Sequence, residues 1–286
     1  MREWLLLFAA LALLPAAADS NIDPSRAVST TDNVGPINWR PTPETGALVC
    51  QYYCSGYIYG SAIGWINLGS GSPANGISYK NNSAADFGVN VSSAGELNGF
   101  AYSANIGWIN FAPAGKTRVD WTTGKLSGAA WSANAGWISL ASGPDYLRID
   151  SLPDLPDSDG DGLPDAWEIE FAGNLTTLSA TGDADHDGQS DLQEYIAGTD
   201  PFDPSDYLGP LRLTVSIQGN DLRFPTKKDR VYRIEQHGPF GSGIWSPSSA
   251  ASIAGTGAEA TVHLETNPSN LFFYRLVAYP PLTPLN

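Results

Sequence analysis

Apolar and polar residues alternate over short distances between residues 45 and 150, and one version of this pattern occurs three times. The copies are residues 55–67, 98–110 and 127–139. Each reads as a strand, a turn of the Ser-Ala-Asn-x-Gly type and a second strand that begins at a tryptophan. Glycine and asparagine supply the positive φ angles that a hairpin turn needs. Since such units cannot bury their apolar faces alone, we expect one domain of repeated β-hairpins over residues 45–150.

The carboxyl-terminal part of the chain shows the same alternation. Short strands are predicted at residues 211–217, 222–224, 231–235, 260–264 and 271–277. Residues 208–286 therefore form a separate predicted β unit. Between the two β regions, only residues 164–171 and 190–197 read as helices. The first ends near Gly173 and the second at Gly198, and glycine is favoured at a helix terminus.

The first residues have the pattern of an export signal. Arg2 precedes an apolar run that ends at Leu14, and small residues up to Ala18 precede Asp19. This pattern predicts a secretory signal peptide over residues 1–18, with cleavage after Ala18. We expect a secreted or cell-surface protein with no membrane insertion after the signal peptide is removed.

Composition restricts the partners. The chain carries 30 acidic and 15 basic residues, a formal charge of −15, which argues against nucleic acid or an anionic membrane. The only cysteines, Cys50 and Cys54, are predicted to form a disulfide across a turn at residues 51–53, since a continuous strand would hold them too far apart.

Fourteen carboxylates and no Lys or Arg occupy residues 157–206. Most fall in two stretches, residues 157–168 and 183–194, that share the pattern D-x-D-x-D-G-x-x-D-x-x-E. This spacing suits Ca²⁺: acids at positions 1, 3 and 5 surround the ion, a carbonyl at position 7 adds an oxygen, position 9 acts directly or through water, and glutamate at position 12 closes the cage. A solvated acidic linker is the alternative, but a linker has no need of a repeated register.

The predicted calcium ligands follow from this register. They are Asp157, Asp159, Asp161, Leu163, Asp165 and Glu168 in the first acidic loop (residues 157–168), and Asp183, Asp185, Asp187, Gln189, Asp191 and Glu194 in the second acidic loop (residues 183–194). These loops resemble EF-hand loops and the calcium repeats of thrombospondin type 3 and dockerin modules. They differ from a full EF-hand because prolines at 153 and 156 exclude an entering helix.

Two further resemblances concern architecture. The hairpin copies resemble the G-x-A-W-S-x-N-x-G-W-I repeats of exported bacterial proteins, which imply no activity. Residues 230–235 and 273–275 resemble strands of the small β-sandwich that follows calcium repeats in such proteins. The predicted fold class is therefore mainly β: a repeated β-hairpin domain over 45–150, a loop-helix calcium module over 154–206 and a small β-sandwich over 208–286.

The repeated tryptophans allow two interpretations. Trp65, Trp108 and Trp137 recur at one position, so they form either a core element or an exposed platform for stacking sugars. Core packing is favoured, because large aromatic residues in sheets usually serve packing.

The sequence as a whole predicts a non-catalytic, calcium-binding modular protein with a structural or adhesive role, in which calcium stiffens the joint between two β domains. The alternative is carbohydrate binding through the aromatic rows, and an extracellular hydrolase ranks third. The expected partners are calcium and an extracellular polysaccharide or another surface protein.

Overall fold

The computed structural model describes residues 20–42, 44–111, 113–142, 144–209, 212–216, 219–237, 245–248, 252–264 and 273–282. The predicted signal peptide, residues 1–18, lies outside the described residues. The predicted fold class is confirmed: the protein is mainly β, with two short helices between two β units.

The described residues of the amino-terminal unit form fourteen short strands. They are β1 (Val28–Thr31), β2 (Ile37–Asn38), β3 (Ala47–Val49), β4 (Cys54–Gly60), β5 (Gly64–Asn67), β6 (Val89–Val91), β7 (Leu97–Ser103), β8 (Gly107–Asn110), β9 (Arg118–Val119), β10 (Leu126–Ser127), β11 (Ala129–Ser132), β12 (Gly136–Ser139), β13 (Ala141–Ser142) and β14 (Asp145–Tyr146).

Eight of these strands close into an antiparallel cylinder in the order β2-β1-β12-β11-β8-β7-β5-β4, because β4 also pairs with β2. The cylinder consists of four hairpins, residues 28–38, 57–67, 100–110 and 129–139. The second strand of each hairpin pairs with the first strand of the next one, and β12 pairs back to β1. The four hairpins therefore occupy equivalent positions in one closed sheet.

The hairpin at residues 28–38 was not among the three predicted copies. Its register matches the others: Ile37 lies opposite Ser29 as Ile66 lies opposite Ile58. It also has a positive-φ glycine, Gly35, where the other hairpins have Gly64, Gly107 and Gly136. The predicted domain start at residue 45 is therefore too late. The copy is hard to recognise in the sequence because Pro36 occupies the tryptophan position.

Isoleucine fills the interior of the cylinder. Each second strand contributes one inward isoleucine from the same position, with an exposed fraction of 2% or less: Ile37, Ile66, Ile109 and Ile138. The residue after each second strand is also buried, and one such pair, Trp39 and Phe111, meets edge to face with ring centroids 6.4 Å apart. Alternation along a strand then directs the residue before each isoleucine outward.

The repeated asparagine joins neighbouring hairpins. Asn105 donates from Nδ2 to the carbonyl oxygen of Ile63 over 3.0 Å, and Asn134 does the same to Ile106 over 3.1 Å. None of the repeated asparagines has a positive φ; the glycine of each turn does. The expectation that asparagine supplies a positive φ angle in these turns is therefore wrong, since its side chain binds the adjacent hairpin instead.

The linking segment contains the two helices, α1 (Asp165–Ala172) and α2 (Asp191–Ala197). Each begins inside an acidic loop and ends at a left-handed glycine, Gly173 or Gly198, as predicted. Trp167 of α1 contacts the ring of Tyr195 of α2 with centroids 5.7 Å apart, and buried Leu163 and Leu178 complete a small core. The two acidic loops thus belong to one packed module, which we call the loop module (residues 154–206).

The carboxyl-terminal unit is a small β-sandwich. Its strands are β15 (Arg212–Ser216), β16 (Gly219–Pro225), β17 (Val231–His237), β18 (Ser246–Pro247), β19 (Ile253–Ala254), β20 (Glu259–Leu264) and β21 (Phe273–Tyr279). One sheet has the order β15-β16-β20, and in the other β17 pairs with β18, β19 and β21. Phe224 of the first sheet packs against Tyr232 of the second with ring centroids 5.5 Å apart, so the sheets enclose a common core.

Candidate metal centres

In both acidic loops, the first three aspartates converge. The carboxylates of Asp157, Asp159 and Asp161 each place an oxygen within 4.8 Å of the others, and Asp183, Asp185 and Asp187 do the same in the second loop. This spacing gives each loop three anionic oxygens around one point, which is a suitable arrangement for a hard divalent cation.

The backbone of each loop is folded around its first aspartate. Asp157 accepts hydrogen bonds from the amides of Gly160 and Gly162 at 2.8 and 3.0 Å. In the second loop, Asp183 accepts from the amide of Gly188 at 3.2 Å. Gly162 and Gly188, at position 6, share a φ of +96°, which side chains with a Cβ rarely adopt. The glycine at position 6 therefore makes the sharp turn of both loops.

Glu168, at position 12 of the first loop, is fully buried. Neither Oε1 nor Oε2 has a hydrogen-bond partner among the described residues. Burial, and then the facing carboxylates of Asp161 and Asp159, raise the pKa of Glu168 to about 7. A buried carboxylate without a donor is costly unless a cation compensates it.

Glu194 occupies the equivalent position in the second loop and is also fully buried. Its Oε1 accepts a hydrogen bond from Thr199 Oγ1 at 3.3 Å, whereas Oε2 has no partner in the described chain. Burial, followed by repulsion from Asp185 and Asp187, raises the pKa of Glu194 to about 7. Asp183 Oδ1 and Asp185 Oδ2 are buried without partners as well, so several orphaned oxygens collect at this loop.

The acids at position 9 hold the backbone of their loops through hydrogen bonds. Asp165 accepts from the amide and the hydroxyl of Ser158 at 2.7 and 2.6 Å. Asp191 accepts from the amides of Ala184 and Ser179 at 3.1 and 2.9 Å. Both oxygens of each carboxylate are thus engaged with the protein. These hydrogen bonds brace both loops. Each oxygen keeps a further lone pair, so contact of Asp165 and Asp191 with an ion, directly or through water, stays a prediction.

The residues at position 7 differ in environment. The side chain of Leu163 is fully buried in the small core of the loop module, which fixes the backbone where the first loop meets α1. Gln189 donates from Nε2 to Asp187 Oδ2 at 3.2 Å and so orients that carboxylate. The donor set of both loops, three aspartates and a buried glutamate, fits calcium chemistry.

The loop module contacts both β units. Tyr52, from the turn between β3 and β4, interacts with Glu170 of α1. Leu155 of the loop module packs against the cluster of Cys50, Tyr53 and Tyr79. On the other side, Arg230 donates to the carbonyl oxygens of Tyr195 and Ile196 at the end of α2. Arg230 is buried and had no signal in the sequence, because its partners are main-chain atoms 34 and 35 residues away.

The repeated tryptophans lie on the outside of the cylinder. Trp65, Trp108 and Trp137 are 50%, 45% and 39% exposed. The favoured interpretation as core residues is therefore wrong. The isoleucine after each tryptophan points inward, and the pleat of the strand then directs the tryptophan outward.

The cysteines are both buried free thiols, so the predicted disulfide is not formed in this structure. The predicted turn is present, since the amide of Cys50 donates to the carbonyl oxygen of Tyr53 at 2.8 Å. Burial raises the pKa of Cys50 to about 12 and also raises that of Cys54.

Comparison of the chain with protein-family models, with curated proteins and with solved structures gave no match. Within the described ranges, neither helix has the length and apolar character needed to cross a membrane.

Proposed function

We propose that the protein binds two calcium ions in its loop module and that these ions stiffen the joint between the cylinder and the β-sandwich. The observation that carries this proposal is the complete burial of Glu168 and Glu194 opposite other carboxylates, with oxygens that no described donor satisfies. Such a cluster repels itself, and two divalent ions would convert the repulsion into ligation.

Contacts on both sides of the module support a mechanical role. The helices that supply Glu168 and Glu194 also carry the contacts to the neighbouring units, through Glu170 in α1 and the carboxyl end of α2. An ion that orders a loop would therefore order the helix beginning in it and the contact beyond. Such a calcium-dependent joint suits a non-catalytic structural or adhesive protein outside the cell, where calcium is abundant. Export is expected from the signal-peptide pattern of residues 1–18.

Titration calorimetry of the secreted form tests the binding. We expect two calcium ions per chain, and one fewer in either Glu168→Gln or Glu194→Gln. The matched control is Asp203→Asn, which removes an exposed carboxylate that is hydrogen-bonded to Ser205, outside both loops. Absence of calcium uptake at millimolar concentration, or equal stoichiometry in all variants, contradicts the proposal.

Small-angle scattering tests the mechanical role. With calcium, the particle should be compact, and chelation should give a longer and more variable one. If calorimetry shows two bound ions but the scattering curves with and without calcium are identical, the protein binds calcium and the proposed stiffening of the joint is rejected.

A further inference from the structure

Three aromatic pairs repeat on the outer face of the cylinder with nearly the same geometry. They are Tyr59–Trp65, Tyr102–Trp108 and Trp131–Trp137, which we call the outer aromatic pairs. Each pair faces across its own hairpin, and the ring centroids are 5.0, 4.9 and 5.0 Å apart with interplanar angles of 61°, 61° and 64°. All six rings are between 38% and 50% exposed.

The cylinder does not need these pairs in order to close. In the hairpin at residues 28–38 the two equivalent positions hold Thr30 and Pro36. This hairpin nevertheless keeps the same register, and its inward Ile37 is fully buried like the other isoleucines. Closure of the sheet therefore does not account for the three exposed pairs.

The three hairpins that carry the pairs contain no charged residue. Residues 57–67, 100–110 and 129–139 contain no Asp, Glu, Lys or Arg, although the whole chain has 45 charged residues and a net charge of −15. The fourth hairpin, which lacks an aromatic pair, contains Asp32, whose Oδ2 accepts a hydrogen bond from the amide of Trp137 at 3.3 Å, so one carboxylate adjoins the third pair. Aromatic hairpins with so little charge, on so acidic a protein, are complementary to a neutral ligand, and they offer no cationic side chain to an anionic one.

Polar groups and hollows accompany two of the pairs. A cavity of about 380 Å³ beside Trp108 is lined by Phe87, Phe100, Asn81, Asn82 and Ser83. Another of about 360 Å³ is lined by Trp131 and Trp137 together with Asn110. Aromatic faces with adjacent amide and hydroxyl groups match a sugar ring, which has apolar C–H faces and a hydroxylated edge.

We infer that the outer aromatic pairs are three binding sites for a neutral polysaccharide, each of which stacks one pyranose ring. Repetition supports a polymeric ligand: a glycan that presents the same sugar many times can use three equivalent sites, whereas a folded protein partner presents a given surface once. Individually weak sites then give useful affinity together, because binding at one raises the effective concentration at the others.

The experiment measures binding of the full secreted chain to soluble neutral glucans, with a polyuronate as the charged comparison, by intrinsic tryptophan fluorescence and by retention on insoluble glucan. We expect binding to the neutral polymer and little to the polyuronate. Trp65→Ala, Trp108→Ala and Trp137→Ala should each weaken binding by roughly three- to tenfold, as expected for loss of one stacking contact.

The control is Phe202→Ala, which removes a 45% exposed aromatic ring outside the cylinder and should leave glycan binding unchanged. Should a tryptophan variant unfold, protection of the wild-type indoles from N-bromosuccinimide by the polysaccharide provides the same information. No fluorescence change or indole protection with any neutral glycan, or equal affinity in Trp108→Ala and Phe202→Ala, overturns the inference. So does retention of a protein partner by the tryptophan surface in the absence of glycan binding. Calcium stoichiometry is measured separately, so failure here leaves the calcium proposal standing.

Discussion

Arg230 donates a hydrogen bond from Nε to the carbonyl oxygen of Ile196 over 2.7 Å, at the carboxyl end of α2. Its Nη2 donates to the carbonyl oxygen of Tyr195 at 2.5 Å, and its Nη1 pairs with Asp229 at 2.6 Å. The last carbonyls of a helix lack intrahelical donors, and a cation there is favourable. This one side chain therefore ties the start of β17 to the helix of the second acidic loop.

Replacement of Arg230 by Met should reduce the free energy of unfolding of the sandwich by about 3–5 kcal/mol, the usual effect of removing one partner of a buried ion pair. The variant leaves Asp229 and two helix carbonyls without their donor. Urea unfolding measures the change. Arg118→Met is the control, since exposed Arg118 makes a single 3.4 Å hydrogen bond to Ala94, and equal stability of the two variants would refute the role of Arg230.

Glu168→Gln should have opposite effects with and without calcium. In EDTA the substitution removes a buried repelling charge, so we expect the melting temperature to rise. With calcium at about 100 times Kd, loss of one site should cost about 2.7 kcal/mol. Thermal melts under both conditions measure the difference, and a change of the same sign in both would show that Glu168 does not face an ion.

The two buried glutamates also predict a pH dependence of the metal-free protein. Their folded pKa of about 7 lies above the ordinary value of 4.5, so the folded state holds more protons than the unfolded state between these values. The contribution of these groups to stability is therefore greatest below pH 4.5 and declines as pH rises to about 7.

Urea unfolding in EDTA at several pH values checks this slope for the wild type against a Glu168→Gln/Glu194→Gln variant, in which it should be reduced. Calcium binding should release protons in the same window, which calorimetry in two buffers detects. A wild-type slope equal to that of the double variant would contradict the environment described for both glutamates.

Two glycines with similar backbone angles should differ in their tolerance of a side chain. Gly107 has φ +73°, and a Cβ added there would meet no atom within 4 Å beyond its chain neighbours, so Gly107→Ala should cost about 1–2 kcal/mol for the left-handed backbone. Gly128 has φ +83°, and a Cβ there would lie 2.3 Å from the carbonyl oxygen of Lys116. We expect Gly128→Ala to be clearly more destabilising in thermal melts, and equal losses would contradict the close approach.

The thiols should be inaccessible in the folded protein. Both cysteines are buried, and burial raises the pKa of Cys50 to about 12. A thiol reagent such as DTNB should therefore react slowly with the native protein and label two thiols after unfolding without reductant. No labelling after unfolding would instead establish the disulfide that the sequence suggested.

The acidic loops could be predicted in detail because their information is local. The spacing from Asp157 to Glu168 sets the turn glycine, the converging aspartates and the start of the helix within twelve consecutive residues. The bracing role of Asp165 could not be predicted, because it depends on the amide and hydroxyl of Ser158 rather than on the register of the loop.

The hairpins were predictable as hairpins, but their assembly was not. Alternation along the strand places Trp65 and Ile66 on opposite faces of the sheet, but it does not determine which of the two faces inward. Closure of the sheet into a cylinder decides which residue faces inward. The interior of the cylinder is narrow and is filled by isoleucine, alanine and serine side chains from the four hairpins. The hairpin at residues 28–38 escaped prediction because Pro36 replaced the residue by which the others were recognised.

The pairing of β1 with β12 has a consequence for biogenesis. Thr30 finds its neighbour, Ser139, only after more than a hundred further residues have been made. Until then the sheet of the growing polypeptide cannot close. The edges of its first and last strands remain unpaired, and its inward isoleucines remain exposed to water. Formation of this unit should therefore be slow and cooperative, and a polypeptide that stops short of residue 139 should aggregate rather than fold in part.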